Sequence, residues 1–98
     1  MSSSREVLRA QLEDYKPKLR EEYPIRELGM FGSYARDEQR PDSDLDILVT
    51  FDEPVTLFDL VRLENELTDR LGVEVDLVTK DSLKPRIAAR VSEDVVYV

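Results

Sequence analysis

The chain has 98 residues, so we expect residues 1–98 to form one domain rather than two. Acidic residues outnumber basic ones by 22 to 14, and the net charge of −8 argues against stable binding of nucleic acid. Cysteine and histidine are both absent, which excludes disulfides, thiolate or imidazole metal sites and every histidine-dependent triad.

The expected location is the cytoplasm. No run of apolar residues has the length of a membrane span, and residues 1–20 lack the apolar segment of a signal peptide. The absence of cysteine fits a reducing compartment. We therefore predict a cytoplasmic protein that does not associate with membranes.

The first predicted element is a helix, because apolar residues recur at helical spacing at Leu8, Leu12, Tyr15 and Leu19. Ser3 followed by Glu6 resembles a capping box at its start. Pro17 lies inside the pattern and removes a backbone donor, so it predicts a kink or a second short helix that begins there. The helix is expected to end near residues 23–24.

Three strands are predicted after this helix. Residues 25–31 form the first, and the polar, proline-containing residues 37–43 form a loop. Residues 44–51 and 73–78 form the second and third, since apolar residues alternate with polar ones in both. The apolar tail at residues 95–98 is either a further edge strand or part of a partner interface.

A second helix is predicted between the last two of these strands. Thr56 and Asp59 supply a capping arrangement at its start, and Gly72 is placed to end it. Its buried face is predicted to consist of Leu57, Leu60, Val61, Leu63, Leu67 and Leu71. Ser82 is expected to open a final helix. The order of elements predicts an α/β or α+β fold, with a small mixed sheet and helices packed on one face.

The strands carry carboxylates where apolar residues are usual. Asp44 and Asp46 are two residues apart, so they project from the same face and repel each other. A divalent cation removes that repulsion, and Mg²⁺ prefers carboxylate and phosphate oxygens. If the second and third strands are neighbours, Asp76 joins the pair, where it holds a second metal ion or takes a proton. The alternative is a sheet face that is merely solvated.

A second feature lies just upstream. Gly32 and Ser33 follow the first strand and precede residues 33–36, which are predicted to start a short helix. Glycine lets the backbone approach a ligand closely, and a serine at a helix start adds a hydroxyl where amide groups already favour anions. The pair therefore predicts a phosphate-binding turn.

Together these features resemble the signature of the minimal nucleotidyltransferases, a family of the DNA polymerase β-like superfamily. The resemblance is carried by residues 32–36 (Gly-Ser-Tyr-Ala-Arg), residues 43–49 (Ser-Asp-Leu-Asp-Ile-Leu-Val) and residues 75–78 (Val-Asp-Leu-Val). It spans essentially the whole chain and implies a nucleotidyltransferase fold and a nucleotidyltransferase activity.

The resemblance also implies roles for the acidic residues. Asp44 and Asp46 would ligate two catalytic Mg²⁺ ions. Asp76 would complete the metal site and help to deprotonate the acceptor. All three carboxylates of the family motif are present.

For the nucleotide, the resemblance implies that Gly32 and Ser33 hold the β- and γ-phosphates of ATP. Arg36 would either brace the aspartate loop through an ion pair or touch a phosphate. Tyr34, Phe31 and Phe58 are interpreted as packing residues rather than as platforms for the base.

Members of this family are commonly paired with a HEPN-domain ribonuclease as toxin and antitoxin. The resemblance implies transfer of AMP from ATP to a tyrosine of that HEPN toxin. Because no acceptor domain follows the third strand, we expect the acceptor to be recognised by a small surface, a partner chain or an oligomer. Two alternatives stay open: an antitoxin that acts by steric binding alone, and an aminoglycoside-type nucleotidyltransferase that modifies small molecules.

Overall fold

Residues 5–98 are described by the computed structural model, and they form three α-helices and four strands: α1 (Arg5–Glu22), β1 (Ile25–Phe31), β2 (Leu45–Phe51), α2 (Leu57–Leu71), β3 (Val75–Thr79), α3 (Pro85–Asp94) and β4 (Val96–Tyr97). A 3₁₀ turn, Lys80–Ser82, separates β3 from α3. The predicted α/β class is confirmed. The capping box predicted at Ser3 involves a residue outside the described part of the chain.

The four strands form one mixed sheet in the order β3-β2-β1-β4. β1 pairs antiparallel with both β2 and β4, whereas β2 and β3 are parallel. The second and third strands are therefore neighbours, as the carboxylate hypothesis requires. The apolar tail forms an edge strand beside β1, which confirms one of its two predicted roles.

α1 and α2 cover one face of this sheet. Their buried leucines share a single core with alternate residues of the strands: Leu8, Leu12 and Leu19 of α1, Leu63, Leu67 and Leu71 of α2, and Leu28, Met30, Leu45, Ile47, Val49 and Val75 of the sheet. Each such side chain contributes roughly 2 kcal/mol on burial. The core thus fixes both helices against the face that points away from the aspartates.

α1 runs through Pro17 as a single helix. The predicted break into two helices is wrong. Proline removes one backbone hydrogen bond, but Leu12 and Leu19 on either side of it are fully buried in the same core. Tertiary packing therefore holds both halves of the helix in one element.

α2 is capped at both ends as predicted. The Thr56 hydroxyl accepts a hydrogen bond from the Asp59 amide at 3.2 Å, and the Asp59 carboxylate accepts one from the Thr56 amide at 3.1 Å. At the other end, Gly72 adopts φ 72° and donates its amide hydrogen to the Thr68 carbonyl.

The predicted buried face of α2 is partly wrong. Leu57 and Val61 are 75% and 50% exposed, and Phe58, interpreted from the sequence as a packing residue, is 87% exposed. The buried stripe follows Leu63 and Leu67, and at about 100° per residue Phe58 and Val61 are turned well away from it. Leu57 is exposed as the first residue of the helix, before the buried stripe begins. Apolar character alone did not distinguish the two faces.

The last helix begins at Pro85, three residues after the predicted start at Ser82. Proline suits the first position of a helix, and its ring keeps Lys84 in extended backbone. Ser82 instead ends the 3₁₀ turn, where its hydroxyl donates to the Thr79 carbonyl at 2.8 Å. In the part of the chain that is described, no helix is long and apolar enough to cross a membrane.

Candidate active site

Two of the three predicted carboxylates are directly paired across the sheet. Asp46 of β2 lies opposite Asp76 of β3 in the parallel register, so both side chains leave the same face of strands about 4.8 Å apart. Asp44 was expected inside the second strand, but β2 begins at Leu45, and Asp44 is an exposed residue just before it.

The pKa of Asp46 is raised to about 6. Burial is the main cause, because it penalises the charged carboxylate, and the negative charges of Asp76 and Asp44 raise the pKa further. Arg36 acts in the opposite direction. The site therefore carries more negative charge than its surroundings compensate.

The turn predicted to bind phosphate begins in contact with this carboxylate. Gly32 has a φ of 75°, in the left-handed region that favours glycine. A Cβ added there would overlap Oδ2 of Asp46 and lie 3.2 Å from its Cγ. Glycine is thus required at this position for two reasons: its backbone conformation is left-handed, and Asp46 occupies the space that a Cβ would need.

The short helix predicted at residues 33–36 is not formed. Residues 32–37 make a hydrogen-bonded turn, in which the Arg36 amide donates to the Gly32 carbonyl at 3.1 Å and the Glu38 amide to the Ser33 carbonyl at 2.8 Å. Asp37 has a φ of 58°, which ends any helical path. Anion binding at this turn would depend on individual amide groups and the Ser33 hydroxyl rather than on a helix dipole.

Two arginines, one within the turn and one on α1, tie the turn to its surroundings. Arg36 donates to Asp94 at the end of α3 at 2.9 Å and to Glu38 at 3.3 Å, and both carboxylates raise the pKa of its guanidinium. Arg5 of α1 donates to the Ala35 carbonyl at 3.1 Å. Of the two roles predicted for Arg36, the contacts match bracing, although the partner is α3 rather than the aspartate loop.

No local pattern in the sequence marks Arg5 or Asp94, because their partners lie 30 and 58 residues away. Ser43 also had no predicted role, and its hydroxyl accepts a hydrogen bond from the Arg40 amide at 2.8 Å. That bond closes the loop directly before Asp44. A role for Ser43 could have been predicted, because the residue lies within the motif at residues 43–49.

The donor set fits a divalent metal in its chemistry. Asp46 and Asp76 offer carboxylate oxygens side by side, and a cation bound between them would offset the burial and the neighbouring negative charges that raise the pKa of Asp46. Within residues 5–98, however, no three potential ligands are close enough to hold an ion as they stand. The exposed Asp44 side chain is the one that would have to turn toward the pair.

The comparisons place these features among known proteins. A family model described as the nucleotidyltransferase domain matches residues 12–98, a range that contains all the site residues predicted from the sequence. Protein adenylyltransferase MntA of Thermococcus cleftensis is 48% identical over 93 residues, which cover 95% of this chain and 94% of that protein.

Solved structures agree with the fold. A structure described provisionally as a minimal nucleotidyltransferase is 40% identical and superposes with a TM-score of 0.82, covering 96% of this chain and 95% of that one. The MNT antitoxin of Shewanella oneidensis, solved in complex with a tri-AMPylated HEPN toxin, superposes with a TM-score of 0.70 over 92% of this chain and 70% of that one. At 22% identity, the second likeness shows a common fold.

Proposed function

Because this chain belongs to the nucleotidyltransferase domain family, we propose that it is a protein adenylyltransferase that moves AMP from ATP to a tyrosine of a HEPN toxin. It would thereby act as the antitoxin of a toxin–antitoxin pair. The enzyme class follows from the family. The nucleotide, the acceptor and the residues that act on them form the proposal.

One observation carries the proposal: Gly32 lies against Asp46, and Asp46 is paired with Asp76. A turn that offers backbone amides and the Ser33 hydroxyl thus adjoins two carboxylates on one sheet face. Metal-bound triphosphate needs this combination, because its phosphates require hydrogen-bond donors and its metal requires anionic oxygens. A solvated sheet face would not need the glycine contact.

Gly32 and Ser33 bind the β- and γ-phosphates in this proposal, through backbone amides and the Ser33 hydroxyl. Arg36 stabilises the turn from its bonds to Glu38 and Asp94. Two carboxylate partners already offset its charge, which favours a bracing role over direct phosphate binding.

Asp44, Asp46 and Asp76 hold Mg²⁺ in this proposal, two ions in all. When bound, Mg²⁺ neutralises the triphosphate and stabilises the charge that develops on the attacking and leaving oxygens. The tyrosine oxygen forms a bond to the α-phosphorus, and the bond between that phosphorus and the departing pyrophosphate breaks. Asp76 accepts the hydroxyl proton, for which its exposed position on β3 gives access.

The choice of acceptor is supported by the named relatives. The Thermococcus protein is named a protein adenylyltransferase, and that protein and this chain cover nearly all of each other. The Shewanella antitoxin was solved with a HEPN toxin that carries AMP. The net charge of −8 disfavours a nucleic-acid acceptor.

Intact-mass spectrometry of a co-expressed HEPN toxin tests the proposal. The toxin is incubated with this protein, ATP and Mg²⁺, and in parallel with the Asp44→Ala/Asp46→Ala variant. We expect the toxin to gain mass in steps of one AMP with the wild type and none with the variant. Peptide mapping should place the AMP on tyrosine.

If the wild type and the variant bind the toxin equally and neither adds mass to it, the enzymatic proposal is contradicted and steric inhibition is left as the antitoxin mechanism. A gain on an aminoglycoside but not on the toxin would instead identify a small-molecule enzyme.

A further inference from the structure

An apolar patch is exposed on the first turns of α2. Leu57, Phe58 and Val61 are 75%, 87% and 50% exposed, and their spacings of three and four residues place them on one side of the helix. We call these three residues the α2 patch. Single exposed apolar residues are common on protein surfaces, but a contiguous group that includes a nearly bare phenylalanine is typical of an interaction site.

Clefts with charged linings lie on both sides of the α2 patch. Before the helix, a cleft of about 620 Å³ contains the exposed Asp52 and Glu53 and also Arg26 and Lys80, and Asp52 is paired with Arg26 at 2.8 Å. Along the helix after the patch, a second cleft of about 520 Å³ is lined by Glu22, Arg62, Asn65, Glu66 and Asp69.

The one arginine that lines the second cleft does not neutralise its acidic residues. Arg62, its one basic lining residue, donates to the Tyr23 hydroxyl at 2.9 Å and stacks on that ring at 5.2 Å. Its guanidinium is therefore held against the tyrosine. The surface next to the α2 patch thus presents the exposed carboxylates of Glu22 and Asp69 to a binding partner, whereas Glu66 is partly buried.

A second copy of this chain is a poor occupant for such a surface. In a two-fold contact the same patch faces itself, so the bordering carboxylates of both copies would be brought together. Each copy also carries a net charge of −8. Charge complementarity instead favours a partner whose apolar anchor residues are flanked by lysine or arginine.

The position of the patch keeps the candidate active site open. It follows the end of β2, whereas Asp46 lies near the start of that strand, five residues or about 17 Å away. α2 links the parallel strands β2 and β3, so it runs back along the sheet, from the patch toward the end at which Asp76 lies. Because α2 packs on the sheet face opposite to the aspartates, a partner bound along its outer surface leaves the carboxylates uncovered and reaches them around the edge strand β3.

We propose that the α2 patch and the acidic cleft beside it are the docking surface for the acceptor protein, through an apolar segment flanked by basic residues. This inference rests on the proposed function, because it assigns the surface to the same partner that receives AMP. It separates the residues that bind the partner from those that perform the transfer.

The test compares three variants for binding of the HEPN toxin by calorimetry and for AMP transfer by intact mass. Leu57→Glu/Phe58→Glu alters the patch, Asp44→Ala/Asp46→Ala alters the carboxylates, and Ile87→Glu is the matched control, since Ile87 is an apolar side chain of α3 that is 44% exposed. Circular dichroism verifies that each variant is folded.

We expect the patch variant to lose at least about thirtyfold in toxin affinity, as an interface anchor would. Its KM for the toxin should rise while its Kd for ATP with Mg²⁺ is unchanged. The carboxylate variant should bind the toxin normally and transfer nothing. Affinity of the wild type should also fall as NaCl is raised, because opposite charges meet at the interface.

The two proposals fail in different ways. A patch variant that binds and modifies the toxin like the Ile87→Glu control overturns the docking surface and leaves the enzymatic function intact. A wild type that never transfers AMP, while only the patch variant loses binding, overturns the function and retains the surface. A wild-type dimer that the patch variant dissociates assigns the surface to a second copy and also overturns the inference.

Discussion

Asp46, a partly buried aspartate near the start of β2, has a higher pKa than an aspartate on the surface. The pKa of Asp46 is about 6 because burial and the charges of Asp76 and Asp44 penalise its ionised form. Near neutral pH the residue is mostly ionised, so the folded chain carries this penalty unless a cation is present. The side chain that best fits the proposed chemistry is therefore also a source of instability.

Asp46→Asn should stabilise the ligand-free protein at pH 8 by about 1 kcal/mol, after allowance for the partial exposure of the carboxylate. An unfolded aspartate has a pKa of about 4, so folding takes up protons between about pH 4 and 6. Wild-type stability from this group falls as the pH rises through that window. The advantage of the variant should accordingly vanish below about pH 4, as measured by urea unfolding across pH.

Asp44→Asn serves as the control, because Asp44 is exposed and should show a smaller gain. An Asp46→Asn protein that is no more stable than the wild type at pH 8 would show that the carboxylate pays no folding penalty.

Gly32→Ala should damage the fold and the site together. The left-handed conformation costs a residue with a Cβ about 1 kcal/mol, and the added carbon would also overlap the Asp46 carboxylate. Gly72→Ala is the matched control, because Gly72 has nearly the same φ, 72°, and nothing within 4 Å of its Cβ position. Urea unfolding and stabilisation by ATP with Mg²⁺ are measured for both.

The control should lose about 1 kcal/mol of stability and keep its response to the nucleotide. The Gly32 variant should lose more stability and respond weakly. Equal losses in the two variants, with equal nucleotide responses, would mean that the contact between Gly32 and Asp46 is unimportant.

At the scale of elements, local signals were predicted well. The bounds of β1 match the predicted residues 25–31, and both caps of α2 were read correctly because capping depends on neighbouring residues. Residues 33–36 were predicted to start a helix, but the left-handed backbone at Asp37 ends the helical path, and a sequence pattern does not show that conformation. The exposed α2 patch was missed because periodicity shows which residues are apolar without fixing how far the sheet covers them.

In the candidate site, too, features set by neighbouring residues were predicted, and features set by the tertiary structure were not. Asp44, Asp46 and Gly32 were identified from motif spacing, whereas the pairing of Asp46 with Asp76 needed the strand order. The braces Arg5 and Asp94 were beyond reach, because each acts on the turn from a distant helix.

Asp94→Asn should loosen the brace between α3 and the turn. The bond from Arg36 is a charged pair at the surface, where such pairs contribute little, so we expect the Kd for ATP with Mg²⁺ to rise only about threefold. The maximal transfer rate should change little, because Asp94 touches none of the reacting groups. Asp94→Glu should recover part of the affinity.

Glu93→Gln removes a neighbouring exposed charge from the same helix and controls for the change in net charge. If that variant weakens ATP binding as much as Asp94→Asn does, general electrostatics rather than the brace explains the effect.

For the whole molecule, the surplus of acidic residues and the carboxylate site predict two different responses to salt. NaCl screens the net charge of −8 everywhere, whereas Mg²⁺ can also neutralise Asp46 and Asp76. MgCl₂ should therefore raise Tm by about 3 °C more than NaCl of equal ionic strength. Calorimetry of the Asp46→Asn variant should show the NaCl effect without this excess.

A Tm that responds identically to both salts in the wild type would count against metal binding at the carboxylates in the absence of nucleotide.

The parallel pairing of β2 with β3 also governs when the site first exists during synthesis. Asp46 and Asp76 are separated by 30 residues, and α2 lies between them. A nascent chain that has left the ribosome only as far as α2 contains the Gly32 turn and Asp46 but not yet Asp76. Pairing that joins distant segments forms late. A truncated or stalled nascent chain would thus carry Asp46 without Asp76, and the proposed metal site would be incomplete.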